Sequence, residues 1–317
     1  MTPRCGRAPF TSAPAGTVGG MARGPVIIEV AINGGTTKAQ NPNVPRSPEE
    51  IAADALACFA AGAAIVHNHA DMAGDPEAIA ASYRLGWEPV LAERPDALLY
   101  PTVAFGAGGI NIDHLRPLAA DPGLRVGVFD PGSVNLGGRG PDGLPAGGFV
   151  YANGFDATAA AMALHDELGL GPSFAVYEPG FLRTVLAWWE AGRLPVGSMV
   201  KFYLSTDRGL LGAPFGLPPT RQALEMYLAM LGDCPVPWAV SVVGGDVVAS
   251  GLAEAAVELG GHLHLGLEFF AGDRTPTNVE LVDEAVAVCD RLGAPVATCA
   301  EAADILALPR PTPGPPT

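Results

Sequence analysis

The feature that most constrains the fold is an eightfold alternation of short apolar runs with longer amphipathic segments. The runs are too uniformly apolar for half-exposed strands, so each one predicts a strand that is buried on both faces. A buried strand followed by a helix, repeated eight times, predicts an α/β fold of the parallel (β/α)8 TIM-barrel type. The predicted strands are Val26–Ile32, Ala63–Asn68, Leu98–Ala104, Leu124–Phe129, Ser173–Tyr177, Met199–Leu204, Trp238–Val243 and His262–Gly266.

Helix signals lie between these runs. The segment Ser47-Pro48-Glu49-Glu50 combines a capping serine, a proline at the first helical position and the glutamate of a capping box, which predicts a helix that ends at Gly62. Asp156 is expected to cap a helix that runs to Leu168. A doubly wound open sheet is the alternative, but no G-x-G-x-x-G motif follows the first strand. Further helices are predicted over 76–91, 180–191, 219–231, 247–259 and 278–292, with a short helical turn at 113–120.

One barrel accounts for nearly all of the 317 residues. We predict a single domain over residues 25–308, because the eight units follow one another without a linker. Residues 1–24 are rich in Gly, Ala, Pro and Thr and are predicted to be a disordered N-terminal arm. Residues 309–317 contain five prolines and are predicted to be a loose C-terminal tail.

The composition excludes several classes of protein. The net charge is −15, from 18 basic and 33 acidic residues, and such a field repels nucleic acid and anionic membranes. There is no apolar run of about 20 residues that would span a membrane. The five cysteines are scattered and form no C-x-x-C motif, so we expect a reducing compartment, the cytoplasm. Charged residues are only 16% of the chain, which favours a homodimer or homotetramer that buries part of the surface.

Two strand ends carry residues typical of a metal site. His67 and His69 end the second strand and point to the same side of it. His262, His264 and Glu268 share one parity on the eighth strand and just beyond it. The second and eighth strands both border the first in a closed barrel. His67, His69 and Glu268 therefore predict a two-histidine, one-carboxylate site with an open position, typical of catalytic zinc. The alternatives are a core histidine and a solvated Glu268; His262, deeper in the strand, is interpreted as structural.

Several segments together resemble one enzyme family, from about Val26 to Leu308. They are Asn41-Pro42-Asn43-Val44-Pro45 with Ser47-Pro48-Glu49-Glu50, Cys58-Phe59-Ala60-Ala61-Gly62-Ala63, His67-Asn68-His69, Val176-Tyr177-Glu178, Trp238-Ala239-Val240, and Gly260-Gly261-His262 with Gly266 and Glu268. On these residues the chain resembles the β-keto acid cleavage enzymes. The resemblance implies a zinc-dependent (β/α)8 barrel that combines a β-keto acid with acetyl-CoA and releases acetoacetate and a new CoA ester. It places the zinc ligands on His67, His69 and Glu268.

The chain departs from the pattern of that family around the reaction centre. An arginine is replaced by His264, the aspartate that serves as general base by Phe269, a glutamate of the fifth strand by Ala175, and a serine by Thr102. An acidic residue that recognises a substrate ammonium falls near Gly35. We therefore expect an intact metal site, a different general base, and a neutral or anionic β-keto acid as substrate.

His264 is the predicted general base, since it faces the barrel interior by parity and an imidazole ordinarily titrates near pH 6.5. The alternative is a supporting or additional metal ligand. Thr102 keeps a hydroxyl and is a second catalytic candidate. Asp130, Glu178 and Asp246 also follow strands and are interpreted first as structural carboxylates. The residues predicted to contact the substrate are Asn33, Thr102, Asp130 and Ser133.

Other functions remain open on the sequence. Lys201 lies within the sixth strand, where a buried lysine of lowered pKa would serve as the Schiff-base nucleophile of an aldolase. The alternatives for Lys201 are an ion pair with a neighbouring carboxylate or an outward orientation. A metal-dependent C–C hydrolase that does not use CoA is a second alternative. A binding protein that holds β-keto acids without turnover is a third. The candidates for CoA phosphate contacts are Arg183, Arg208 and Arg221.

Overall fold

Eight parallel strands form the wall of a barrel in the computed structural model, which describes residues 23–106, 109–120 and 123–309. The strands are β1 (Ile28–Ala31), β2 (Ile65–Asn68), β3 (Leu98–Pro101), β4 (Val126–Phe129), β5 (Gly171–Val176), β6 (Met199–Ser205), β7 (Trp238–Val243) and β8 (His262–Leu265). The predicted N-terminal arm, residues 1–24, and the predicted tail, residues 309–317, lie almost wholly outside the described residues.

The order of the strands closes the sheet. The hydrogen-bonded order is β3-β2-β1-β8-β7-β6-β5-β4, and a parallel bridge between Leu99 and Leu124 joins β3 to the segment before β4. Strands β2 and β8 both flank β1, as predicted. The TIM-barrel prediction is therefore confirmed, and the open-sheet alternative is wrong.

A helix follows each strand. The eight helices of the units are α1 (Pro48–Ala61), α2 (Pro76–Glu93), α3 (Leu115–Leu118), α4 (Phe155–Leu168), α5 (Pro179–Glu190), α6 (Arg221–Leu231), α7 (Leu252–Glu258) and α8 (Asn278–Arg291). A further helix, α9 (Cys299–Ile305), which was not predicted, follows the last unit. None of the helices in the described part of the chain is both long and apolar enough to cross a membrane.

Local sequence explains the ends of α1. Ser47 accepts a hydrogen bond from the backbone of Glu50, and the Glu50 carboxylate in turn accepts one from the backbone of Ser47. Gly62 ends the helix with φ of 121°, a conformation that side chains rarely adopt. Both predictions for this helix are confirmed. The prediction for Asp156 was wrong: Gly154 is the N-cap of α4, and Asp156 lies in its first turn.

Two β-hairpins lie in the loops that follow barrel strands. The first hairpin pairs Ala104–Gly106 with Gly109–Asn111, between β3 and α3. The second hairpin pairs Ser133–Arg139 with Pro145–Ala152, between β4 and α4. Neither was predicted. Because loops after the strands surround the carboxyl-terminal mouth of a TIM barrel, both hairpins belong to the part of the molecule where the candidate site lies.

Candidate metal centre and substrate cavity

His67, His69 and Glu268 converge at the mouth of the barrel. The Nε2 atom of His67 lies 3.4 Å from one carboxylate oxygen of Glu268, and Nε2 of His69 lies 3.2 Å from the other. One candidate ligand atom from each of the three residues falls within 4.8 Å of the others. Strands β2 and β8, separated only by β1, position these side chains as their parity predicted.

The neighbours of these side chains fix their orientation. Nδ1 of His67 lies 3.3 Å from the backbone oxygen of Tyr100, which leaves Nε2 directed at Glu268. The backbone N–H of His69 donates to Asn33 Oδ1 at 2.8 Å. Gly34 makes room for Glu268, because a Cβ on Gly34 would lie 2.1 Å from Cγ of Glu268. The turn after β1 is thus shaped around this carboxylate.

The protonation states suit a metal. Burial would raise the pKa of Glu268, but the opposing contacts, led by its electrostatic contact with His69, together hold the pKa at about 2, so the carboxylate is ionised. Burial keeps the pKa of His67 well below its ordinary value, so the imidazole is neutral. Neutral imidazoles and an ionised carboxylate are the forms that bind a metal. The buried atoms His69 Nε2 and Glu268 Oε2 have no hydrogen-bond partner among the described residues. This site fits a divalent ion.

A cavity of about 720 Å³ opens beside His69 and Glu268. Thr102 and Asp130 line it, as expected for substrate contacts, and so does Gly35. The walls are largely apolar and include residues of both hairpins and of the loop after β6. The apolar lining residues are Val103, Phe105, Leu136, Phe149, Leu210, Leu211, Val243, Phe269, Phe270 and Ala271.

Two of the predicted substrate contacts lie elsewhere. Asn33 is 1% exposed, and its amide donates to the backbone oxygens of Pro45 and His69. These hydrogen bonds position the backbone around His69. They do not position a ligand. Ser133, at the start of the second hairpin, accepts a hydrogen bond from the backbone of Asn153 at 3.1 Å and is not among the residues that line the cavity.

His264 is fully buried beneath the cavity and does not line it. Its Nε2 lies 3.3 Å from Oε1 of Glu29. Burial, and then the charge of Lys201, hold the pKa of His264 well below its ordinary value. These surroundings argue against the predicted role of His264 as the base that meets the substrate.

Lys201 lies in the same buried region. Its Nζ is 3.0 Å from Glu29 Oε1 and 2.5 Å from the hydroxyl of Tyr100, which itself donates to Glu29. We call Glu29, Tyr100, Lys201 and His264 the interior cluster. Glu29 was not predicted as the partner of Lys201, although a glutamate within the apolar run of β1 is the signal that a buried lysine has a partner.

The other predicted charges are in structural contacts. Glu178 accepts a hydrogen bond from the backbone of Gly216 at 3.0 Å. Asp246 pairs with Arg274 at 2.9 Å and accepts hydrogen bonds from two backbone N–H groups. Arg221 pairs with Glu225 and Glu258. Of the three arginines predicted for CoA, Arg208 lines the cavity, whereas Arg183 and Arg221 do not.

Comparisons with known proteins agree with this geometry. A relative from Acetoanaerobium sticklandii, a 3-keto-5-aminohexanoate cleavage enzyme, is 25% identical over 89% of this chain and 98% of its own length. A 3-oxoadipate:acetyl-CoA acetyltransferase from Cupriavidus necator is 27% identical over 90% of this chain and 95% of its own. A solved binary complex of ObcA with oxaloacetate shares the fold, with a TM-score of 0.65, 18% identity, and coverage of 86% of this chain and 69% of that one.

The family assignment rests on most of the chain. The model of the beta-keto acid cleavage enzyme family matches residues 25–308. That range contains all eight strands, both hairpins and the three residues of the candidate metal centre. The chain therefore belongs to the beta-keto acid cleavage enzyme family, as a divergent member.

Proposed function

We propose that this protein cleaves a β-keto acid by acyl exchange with acetyl-CoA, using a divalent metal, most simply Zn²⁺, held by His67, His69 and Glu268. The observation that carries the proposal is the convergence of these three side chains beside a cavity large enough for a keto acid and the end of a thioester. When bound, a divalent ion at this site supplies Lewis-acid polarisation of the ketone oxygen.

The exchange balances without another reactant. A keto acid R–CO–CH₂–COO⁻ and acetyl-CoA give R–CO–S-CoA and acetoacetate. The CH₂–COO⁻ unit leaves its ketone carbon and joins the acetyl carbon, and the CoA sulfur makes the opposite move. C2 of the keto acid must therefore lose a proton to become a nucleophile. It regains one after the C2–C3 bond breaks, so the chain must provide a group that holds this proton.

The cavity supports a neutral or anionic substrate. Gly35 lines it without a side chain, so the cavity lacks a carboxylate at this position for a substrate ammonium. Arg208 brings a positive charge to the same cavity, and the remaining wall is mainly apolar. We propose that Arg208 contacts a carboxylate of the substrate or a phosphate of CoA, and that the Thr102 hydroxyl orients the keto acid.

The Schiff-base alternative has less support. Lys201 is 2% exposed, contacts Glu29 and Tyr100, and does not line the cavity. An ammonium held in a buried ion pair is a poor nucleophile, because it must first lose a proton and separate from its partner. Hydrolysis without CoA and binding without turnover are distinguished from acyl exchange by their products.

The test is a mass-spectrometric screen of β-keto acids with zinc-loaded protein, with and without acetyl-CoA. We expect a new CoA ester and acetoacetate only when acetyl-CoA is present, and neither product after removal of the metal. Free carboxylic acids formed without CoA would support hydrolysis. Keto acid binding without products at high protein concentration would support the binding protein.

We also propose a homodimer or homotetramer. Several large apolar side chains of the second hairpin and the residues after it are exposed, among them Leu144, Val150 and Phe155. Large exposed apolar side chains gathered in one segment favour a surface that contacts a partner. Light scattering of the purified protein should give a mass of two or four chains, and a monomer would contradict the proposal.

A further inference from the structure

We propose that Asp130 is the general base of this enzyme, held in place by Tyr151 of the second hairpin. The inference rests on the proposed function, since acyl exchange requires a proton acceptor for C2 of the keto acid. It assigns a catalytic role to a carboxylate on β4 in a chain that has Phe269 directly after the metal-site glutamate.

Elimination within the cavity leads to Asp130. Among the described residues that line it, the titratable side chains are those of His69, Glu268, Asp130, Arg208 and two tyrosines. His69 and Glu268 belong to the candidate metal centre. A guanidinium does not act as a base near neutral pH. Burial raises the pKa of the two tyrosines, Tyr151 and Tyr177, well above 10, so both stay neutral. Asp130 is the remaining group.

The contacts of Asp130 hold a carboxylate at the edge of the cavity. It follows β4, is 6% exposed, and accepts a hydrogen bond from the backbone of Ala175 at 3.2 Å. The Tyr151 hydroxyl donates to its other oxygen. Asn153 donates to its backbone carbonyl at 2.8 Å, which anchors the start of the loop. The side chain is thus oriented from three elements: β4, β5 and the second hairpin.

Asp130 lies beside one of the two positions at which this chain lacks a carboxylate that the resemblance implies. Ala175 on β5 and Phe269 after β8 are apolar where the resemblance to the family led us to expect carboxylates. The backbone N–H of Ala175 binds Asp130, so the Asp130 carboxylate lies beside the strand position that lacks a carboxylate of its own. Phe269 is 5% exposed and forms part of the cavity wall. The one acidic group directly after β4 thereby serves as the base of this cavity.

Asp130 has a basicity suited to the step. Burial raises its pKa to about 6, although the hydrogen bond from Tyr151 and the charge of Lys201 act to lower it. The charge of Glu268 also raises the pKa of Asp130, by a smaller amount. The neutral Tyr177, which directly follows β5, is close enough to interact with the Asp130 carboxylate. A carboxylate of this kind is ionised at neutral pH and is more basic than an exposed aspartate, as general-base catalysis requires.

The proton that Asp130 takes from C2 is returned to C2 within the same reaction. The C2–H bond of the keto acid breaks, its electron pair forms the new bond from C2 to the acetyl carbonyl carbon, and the proton goes to the Asp130 carboxylate. The CoA thiolate expelled in that step adds to the ketone carbon. The C2–C3 bond then breaks, and the electron pair left on C2 takes the proton back from Asp130. No net proton is consumed.

The test uses the β-keto acid that the wild type converts fastest. In Asp130→Asn we expect kcat to fall roughly 10²–10⁴-fold, with metal content and keto acid affinity unchanged, because only the proton acceptor is lost. Asp246→Asn is the matched control, because Asp246 is a carboxylate outside the cavity. The amide oxygen of the variant can still accept the backbone hydrogen bonds, and its kcat should equal that of the wild type. An active wild type with an equally active Asp130→Asn variant overturns the assignment.

A second variant, Tyr151→Phe, distinguishes a catalytic role of Asp130 from a purely structural one. In the wild type, kcat should fall on the acidic side with an apparent pKa of about 6, when Asp130 takes up a proton. Tyr151→Phe removes a hydrogen bond that lowers this pKa, so the acidic limb should move to higher pH. An unmoved limb, or an Asp130→Asn variant that loses only keto acid affinity, overturns the assignment. A wild type that forms no CoA ester overturns the proposed function itself.

Discussion

The interior cluster and the candidate metal centre are two polar sites in one barrel, and they differ in their source of positive charge. In the interior cluster, the Lys201 ammonium lies 3.0 Å from the Glu29 carboxylate. In the metal centre, Glu268 has only His67 and His69 within ion-pair distance in the described part of the chain, and His67 is neutral. A buried carboxylate is costly without a cation. The first site supplies its own cation, and the second is suited to take one from solution.

The largest expected effect comes from Glu268→Gln, which removes the negative charge from the metal centre and keeps its shape. We expect loss of stoichiometric metal and activity at background level, because a carboxylate ligand is replaced by a neutral amide. Metal analysis of the purified variant, alongside an activity assay, checks this. Full metal content in Glu268→Gln would show that the ion binds elsewhere.

Breaking the interior cluster should affect stability instead. Lys201→Met leaves Glu29 buried without its cation, and we expect the free energy of unfolding to fall by about 3–5 kcal/mol. Adding Glu29→Leu should recover much of that loss, since the unpaired charge is then removed as well. Denaturant unfolding of the single and double variants measures both values. A single variant as stable as the wild type would mean that the pair has no such role.

A smaller effect is expected from a new charge in the cavity. A Cβ on Gly35 would have no atom within 4 Å, so Gly35→Glu should be accommodated. An ion pair in a partly exposed site contributes about 1 kcal/mol, so the kcat/KM ratio of cationic to neutral keto acids should rise roughly five-fold. Kinetics with an amino-substituted keto acid and its neutral analogue provide the test. An unchanged ratio would show that position 35 does not contribute to substrate recognition.

The smallest effect is expected for His264→Gln. Because His264 belongs to the interior cluster and does not line the cavity, the variant should keep its metal. Its loss of kcat should stay well below the roughly 10²-fold that removal of a general base causes. A larger loss, together with a shifted acidic limb, would restore His264 as the base and displace Asp130.

The sequence predicted most of the barrel because the strands are short and mostly apolar and the helices between them have apolar faces. It missed the second hairpin, whose strands contain Gly137, Gly138, Gly147 and Gly148 and are mostly exposed. Exposed glycine-rich strands have the composition of a loop, and the alternation of apolar and polar residues in this hairpin is confined to Ser133-Val134-Asn135-Leu136. The helix α9 was not predicted because it lies beyond the eighth unit and is only seven residues long.

The candidate site, like the fold, could be predicted only in part. The metal centre could be predicted because strand parity and the order of strands in a closed barrel bring His67, His69 and Glu268 together. The contact between Asp130 and Tyr151 could not, since Tyr151 lies on the hairpin that was missed. A carboxylate partner was one of the interpretations of Lys201, but the sequence did not identify Glu29, which lies 172 positions away in the chain. Contacts across the barrel depend on side-chain reach, which spacing alone does not give.

The most direct test of acyl exchange follows the acetyl carbons. Metal-loaded wild type is incubated with a β-keto acid and acetyl-CoA labelled with ¹³C in both acetyl carbons, and the products are analysed by mass spectrometry. Acyl exchange gives acetoacetate that carries both labelled carbons and an unlabelled CoA ester of the remaining acyl group. Labelled acetate with free coenzyme A, or cleavage that leaves the acetyl-CoA label untouched, would contradict it.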